Sequence, residues 1–270
     1  MKTPEKITES LYHKSLYFLE RPIRALMLGG ILAGLFVGIA AITTITATCD
    51  MKDYFGLGFT RIVSGIVFSF GLITIVLSGS ELFTGSNLYV VALYKDRRYV
   101  GRLLRNWVIL YGANFIGSLL LVFIIWGTGI YEQEVIRNAL IETAKVKLGL
   151  TWMQAFIRGI LCNFLVCLAI RVGEAAEQVS GKILGYIFVV GAFVMNSFEH
   201  SVANMFFIPT GIFLEKSLGI YLSWQSFILN NLIPVTLGNI LGGSLFIGIA
   251  YHWLHKKRHP NGIKVQKVGA

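Results

Sequence analysis

Charge is scarce in this chain. Asp, Glu, Lys and Arg make up 14% of its 270 residues while 55% are hydrophobic, a balance that excludes an ordinary soluble domain. Cysteine is scarce as well: Cys49, Cys162 and Cys167 are the three, and they stand at no metal-binding spacing. Cys162 and Cys167 fall inside an apolar stretch and read as packing residues. The chain lacks a phosphate-cradling glycine loop and a nucleophile with an evident general base. No enzyme activity, catalytic residue, cofactor or metal site is therefore expected. The segment before Arg24 lacks the form of a cleaved signal, being polar with Glu5, Glu9 and Glu20.

Long apolar runs are abundant. Ala25 to Ala47 and Trp107 to Trp126 approach or exceed the roughly 20 residues that cross a bilayer core. Six spans are predicted, at about 24–48, 60–94, 103–129, 156–172, 183–214 and 223–253. They define a domain over 24–254, preceded by an amphipathic helical segment (1–23) with Thr3 as its cap and Pro4 at the first helical position. A basic tail follows over 255–270. The 29 glycines fit close helix approach in a membrane.

Basic residues are unevenly shared between the two sides of these spans. The N-terminal segment, the second-to-third and fourth-to-fifth connections and the tail carry 17 of the 24 Lys and Arg residues. The positive-inside rule places both termini in the cytoplasm. The net charge of +10 is thus a topology signal, and a nucleic-acid partner is not expected.

The chain also repeats itself. "GILAGLFVGIA" at Gly30–Ala40 resembles "GILCNFLVCLA" at Gly159–Ala169, and Asn106, Asn114 and Gly117 have the spacing of Asn231, Asn239 and Gly242. "SGSELFTGS" interrupts the second span as "NSFEHSVANM" interrupts the fifth. Two three-span halves, over 24–130 and 151–254, follow from this. Three is odd, so the halves cross in opposite senses, as an inverted repeat with broken second and fifth helices. Polar groups at that depth are costly unless they face a cavity or a partner. Glu199, His200 and Asn204 are therefore expected on a broken helix at the centre of a pathway, with "ELFT" as the opposite wall.

At these residues the chain becomes recognisable. "SGSELFT", "RGILCNFLVCLA" and "FEHSVANMFFIPTGI" together resemble the formate/nitrite transporter family, over nearly the whole chain from about Arg21 onward. The resemblance implies a homopentamer in a prokaryotic plasma membrane, built of all-α, aquaporin-like protomers that each conduct small monovalent anions. It implies apolar constrictions at Leu82 and Phe193 with His200 between them. Thr84 is a nearby hydroxyl, Lys147 stands at the pore's outer approach, and Asn163 and Asn204 are polar residues near the centre. Glu81 and Glu199 read as supports of the half-helices rather than substrate ligands. Lys145, two residues from Lys147, competes with it in the alignment.

The expected mechanism follows from charge and hydration. Lys147 and the half-helix ends attract an anion to the mouth. The two slits reject large and fully hydrated ions, and Thr84 and His200 replace lost water. Histidine titrates near the relevant pH, so proton transfer to the anion and pH gating fit the same arrangement. Overall likeness ranks hydrosulfide first, with formate and nitrite close behind. The rival readings are a facilitator of small neutral solutes and a proton-coupled anion symporter.

Overall fold

The computed structural model describes residues 1–94, 96–215 and 222–255. Lys95, Lys216 and the basic tail from Lys256 onward lie outside the described residues. Helix α1 spans Pro4–Leu19, and Lys6 N–H donates to the Thr3 hydroxyl at its start, at 3.4 Å. Next come α2 (Ile23–Thr48) and α3 (Met51–Ser78). After a break, a short α4 (Phe83–Ser86) runs on into 3₁₀ turns over Asn87–Tyr94. The chain continues through α5 (Val100–Trp126), α6 (Glu134–Leu148), α7 (Trp152–Ala175) and α8 (Val179–Met195). A second break precedes α9 (Ser201–Glu215), and α10 (Trp224–His255) completes the fold, with π-helical stretches at Phe227–Leu232 and Gly242–Ile249.

Among the described residues, five helices are long and apolar enough to cross a membrane: α2, α3, α7, α10 and the stretch Arg97–Trp126 that contains α5. The shorter α8 and α9 lie on either side of the second break. Two features stand out against the hydropathy reading. The second span begins at Met51 because the helix runs on through a kink at Gly56 (φ 76°), where Lys52, Asp53 and Arg61 suggest a loop. Helix α6 is not among the predicted spans because it is amphipathic; it buries Ile136, Leu140, Ile141 and Ala144 along one face.

The two halves carry matching contacts. Helix α2 packs along α3 and α5, and α7 packs along α8 and α10. Helix α1 lies against the Asn87–Tyr94 turns as α6 lies against α9. The close approaches match too. A Cβ at Gly117 would overlap the Ile31 carbonyl oxygen, and one at Gly242 the Ile160 carbonyl oxygen.

The breaks share one backbone motif. Gly79 adopts φ 75° and Ser80 N–H donates to Ile75 O at 3.0 Å. Ser197 adopts φ 54° and Phe198 N–H donates to Phe193 O at 3.0 Å. Each is a helix terminus with a left-handed residue and a bond reaching back five positions. Glycine suits that conformation, whereas serine carries a steric cost of roughly 1–2 kcal/mol. Ser197→Gly is accordingly expected to stabilise the protein by about 1 kcal/mol, and Gly79→Ala to destabilise it by a similar amount. Thermal unfolding in one detergent checks the pair: Tm should rise for the first and fall for the second, and shifts of the same sign would contradict the shared motif.

Candidate functional site

The site is built around the two breaks. Four or five residues of non-helical backbone in an apolar surround need partners for every N–H and C=O. Asn114 on α5 supplies two of them at the first break. Its Nδ2 donates to Gly30 O (2.8 Å) and Glu81 O (3.1 Å), while its Oδ1 accepts from Phe83 N (2.9 Å). Asn239 on α10 does the same at the second. Its Nδ2 donates to Gly159 O (2.8 Å) and Glu199 O (3.0 Å), and its Oδ1 accepts from Ser201 N (2.9 Å). The glutamate N–H groups also match: Glu81 N donates to Gly29 O at 3.2 Å, and Glu199 N to Arg158 O at 3.3 Å.

Each break also holds a glutamate against a cation. Lys147, at the end of α6, lies 3.1 and 3.2 Å from the two carboxylate oxygens of Glu199. Asn204 Nδ2 donates to Glu199 Oε2 and to Asn231 Oδ1, both at 2.7 Å, and Asn231 Nδ2 donates to the Lys147 carbonyl at 3.0 Å. In the other half, Arg21, just after α1, donates to Glu81 Oε1 from Nε (3.2 Å) and Nη2 (2.9 Å). Removing one partner of a buried pair leaves an uncompensated charge, at a cost of about 3–5 kcal/mol.

His200 and Leu82 occupy the same place in the two breaks, each immediately before the helix that follows. The imidazole Nδ1 accepts from Ala203 N at 3.1 Å. A ring nitrogen that accepts carries no proton, so the neutral ring holds its hydrogen on Nε2. That N–H faces the Thr84 hydroxyl oxygen at 2.9 Å. Phe193 lies nearly parallel to the imidazole, with 18° between planes and 6.1 Å between centroids.

Two cavities meet these residues. One, of about 340 Å³, is lined by Lys147, Glu199, Phe193 and His200 together with Arg61, Glu142 and Arg158. The other, of about 20 Å³, lies among Ile75, Leu82, Val166, Phe193 and His200; that is room for about one water-sized molecule. Phe193 and His200 belong to both walls.

The structure thus brings Leu82, Phe193, His200, Glu199 and Lys147 to cavity walls, and Thr84 to the ring of His200. Lys147 rather than Lys145 lines the large cavity. Asn163, Asn204 and Glu81 line neither cavity. Asn163 instead braces Thr84: its Nδ2 lies 3.1 Å from Thr84 O, 2.8 Å from Asn87 Oδ1 and 2.7 Å from Asn239 O. Arg61, Arg158 and Glu142 carry no signal in the sequence that would select them. Asn114 and Asn239 were visible there as repeat markers, not as the clamps of the breaks. Among the described residues no cluster of metal-ligating side chains is present.

Residues 5–253 match the family model described as "Formate/nitrite transporter". A "Probable formate transporter" of Methanothermobacter thermautotrophicus is 38% identical over 253 residues, covering 87% of this chain and 90% of that protein. "Formate channel FocA" of Haemophilus influenzae is 38% identical over 275 aligned positions, covering 94% and 95%. Among solved structures, a "Pentameric formate channel with formate bound" superposes with a TM-score of 0.79 at 35% identity, covering 87% of this chain and 98% of that one. An "FNT family ion channel" superposes at 0.81 with 25% identity, covering 92% and 98%.

A double-mutant cycle tests the Lys147–Glu199 pair. Lys147→Met is expected to lower stability by about 3–5 kcal/mol, and Glu199→Gln in the same chain to restore much of it. Additive losses in detergent unfolding would show that the two side chains do not act as a pair.

Proposed function

The chain belongs to the formate/nitrite transporter family, and we propose that it conducts small monovalent anions, formate first among them. The observation that carries this reading is the His200 imidazole, which shares the wall of a cavity of about 20 Å³ with Leu82 and Phe193 while its Nε2–H rests on the Thr84 hydroxyl. The names of the relatives support formate ahead of hydrosulfide. The chain is a multi-pass membrane protein. We read it as an aquaporin-like protomer of six spans, two three-span halves in opposite senses, and the matched asparagine clamps and close helix approaches support that. The pentameric relative supports a homopentamer in a prokaryotic plasma membrane, and the basic-residue bias supports cytoplasmic termini.

In this reading an anion enters the large cavity on the Lys147 side and meets Phe193. A fully hydrated or bulky ion cannot shed its shell there, because the apolar wall returns no hydrogen bonds. A small ion that passes finds the Thr84 hydroxyl proton as a replacement donor, left free because the Thr84 oxygen accepts the His200 Nε2–H, then Leu82 as the second slit. Asn163 contributes by holding Thr84, and Glu81, Glu199 and Asn204 by holding the breaks. Because Nδ1 is committed to the Ala203 N–H, the ring serves as a fixed neutral donor; protonating it would first break that bond. This favours a channel over a proton-coupled symporter. The cationic residues around the large cavity favour an anion over a neutral solute.

Recording from purified protein in planar bilayers tests the proposal. Formate and nitrite are expected to carry current, and glycerol uptake into vesicles to stay at background. His200→Leu removes the donor and should lower formate current on the order of 10–100-fold. Leu82→Ala should instead admit larger anions such as lactate. Glycerol permeation without anion current would overturn the reading.

A further inference from the structure

The large cavity holds positive charge that the pore residues do not use. Lys147, Arg61 and Arg158 line it, against Glu142 and Glu199. Lys147 and Glu199 neutralise one another. Arg61 and Glu142 are exposed at the rim, whereas Arg158 is partly buried. Among the described residues the Arg158 side chain has no ion pair and no hydrogen bond.

Its backbone is firmly placed. Helix α7 starts from a reciprocal cap in which Gln154 N donates to the Thr151 hydroxyl (3.2 Å) and Thr151 N to Gln154 Oε1 (3.0 Å). Arg158 O then receives Glu199 N–H, so the residue stands beside the break that presents His200. In the other half the carbonyl in the same role belongs to Gly29, which has no side chain. The extra cation therefore serves one mouth only.

A guanidinium differs from an ammonium in its ligand. Its planar fork matches two oxygens at once, while a lysine acts as a point charge. We propose that Arg158 is a specificity residue: it holds a planar, two-oxygen monovalent anion of the formate or nitrite type in the large cavity, ahead of Phe193. The mouth on the Lys147 side then favours forked oxyanions over single-centre anions such as hydrosulfide. The bound anion has part of its hydration replaced before it reaches the apolar slit. This inference rests on the anion-channel reading above.

The test uses the full chain in planar bilayers, with formate or hydrosulfide supplied to one face at a time. Arg158→Gln should raise the half-saturating formate concentration about tenfold from one face only, with maximal current kept. Arg158→Lys retains the charge and loses the fork. It should raise the formate value several-fold and leave the hydrosulfide value unchanged. Wild-type behaviour of Arg158→Lys toward formate, equal shifts for both anions, or shifts from both faces would overturn the proposal. A loss of maximal current with both anions would mark Arg158 as merely structural and overturn it too. A wild-type protein that carries neither anion sinks the channel reading itself, a result separable from all of these.

Discussion

Everything in this fold depends on satisfying two stretches of bare backbone in an apolar interior. A broken helix at that depth is stable only if its freed N–H and C=O groups find partners that water cannot supply. One asparagine per half meets part of that demand. Each bridges the last residue of its break, donating to the glutamate carbonyl before that residue and accepting from the N–H after it, while also binding a neighbouring helix. Because the amide ties three chain segments together, the breaks are fixed points rather than loose ends. The close approach of α5 to α2, and of α10 to α7, follows from the same need, since the amides must reach carbonyls on those helices.

The charges near the breaks act mainly on geometry. A buried ion pair is weak evidence of net stabilisation, because desolvation offsets much of the attraction. Here each pair ties a glutamate in the break to the end of an amphipathic helix lying across that half. This limits what Lys147 can do for a passing anion. With a carboxylate about 3 Å away, its field at the mouth is largely cancelled, and the other charges on the cavity wall are Arg61 and Arg158 against Glu142.

The small cavity is where the internal correspondence is unequal. Leu82 and His200 hold equivalent places, as do Ile75 and Phe193, and all four surround one small cavity. Three are apolar and one is a hydrogen-bond donor. An apolar set would exclude every ion, and a polar set would hold water and lose discrimination by desolvation. One donor between hydrophobic walls favours an ion small enough to be satisfied by few contacts.

Much of this was legible in the order of residues. Hydrophobic runs longer than a bilayer core must be spans, whatever their neighbours, so hydropathy alone located most of them. Polar clusters inside those runs marked the breaks, and Thr3–Pro4 marked the start of α1, because caps are local chemistry. Recognition of "ELFT" and "FEHS" singled out Leu82 and His200, which line the small cavity. The amphipathic α6 was not legible, since its apolar face has meaning only against α9. Nor was the start of α3 beyond Gly56, where charged residues imitate a loop. Tertiary structure alone decided that Asn114 and Asn239 clamp the breaks, that Asn163 braces Thr84, and that Arg158 lines the large cavity without a carboxylate partner among the described residues. Those contacts join residues such as Asn239 and Gly159, 80 positions apart. They arise only when two helices cross at one particular height, which no local pattern of residues encodes.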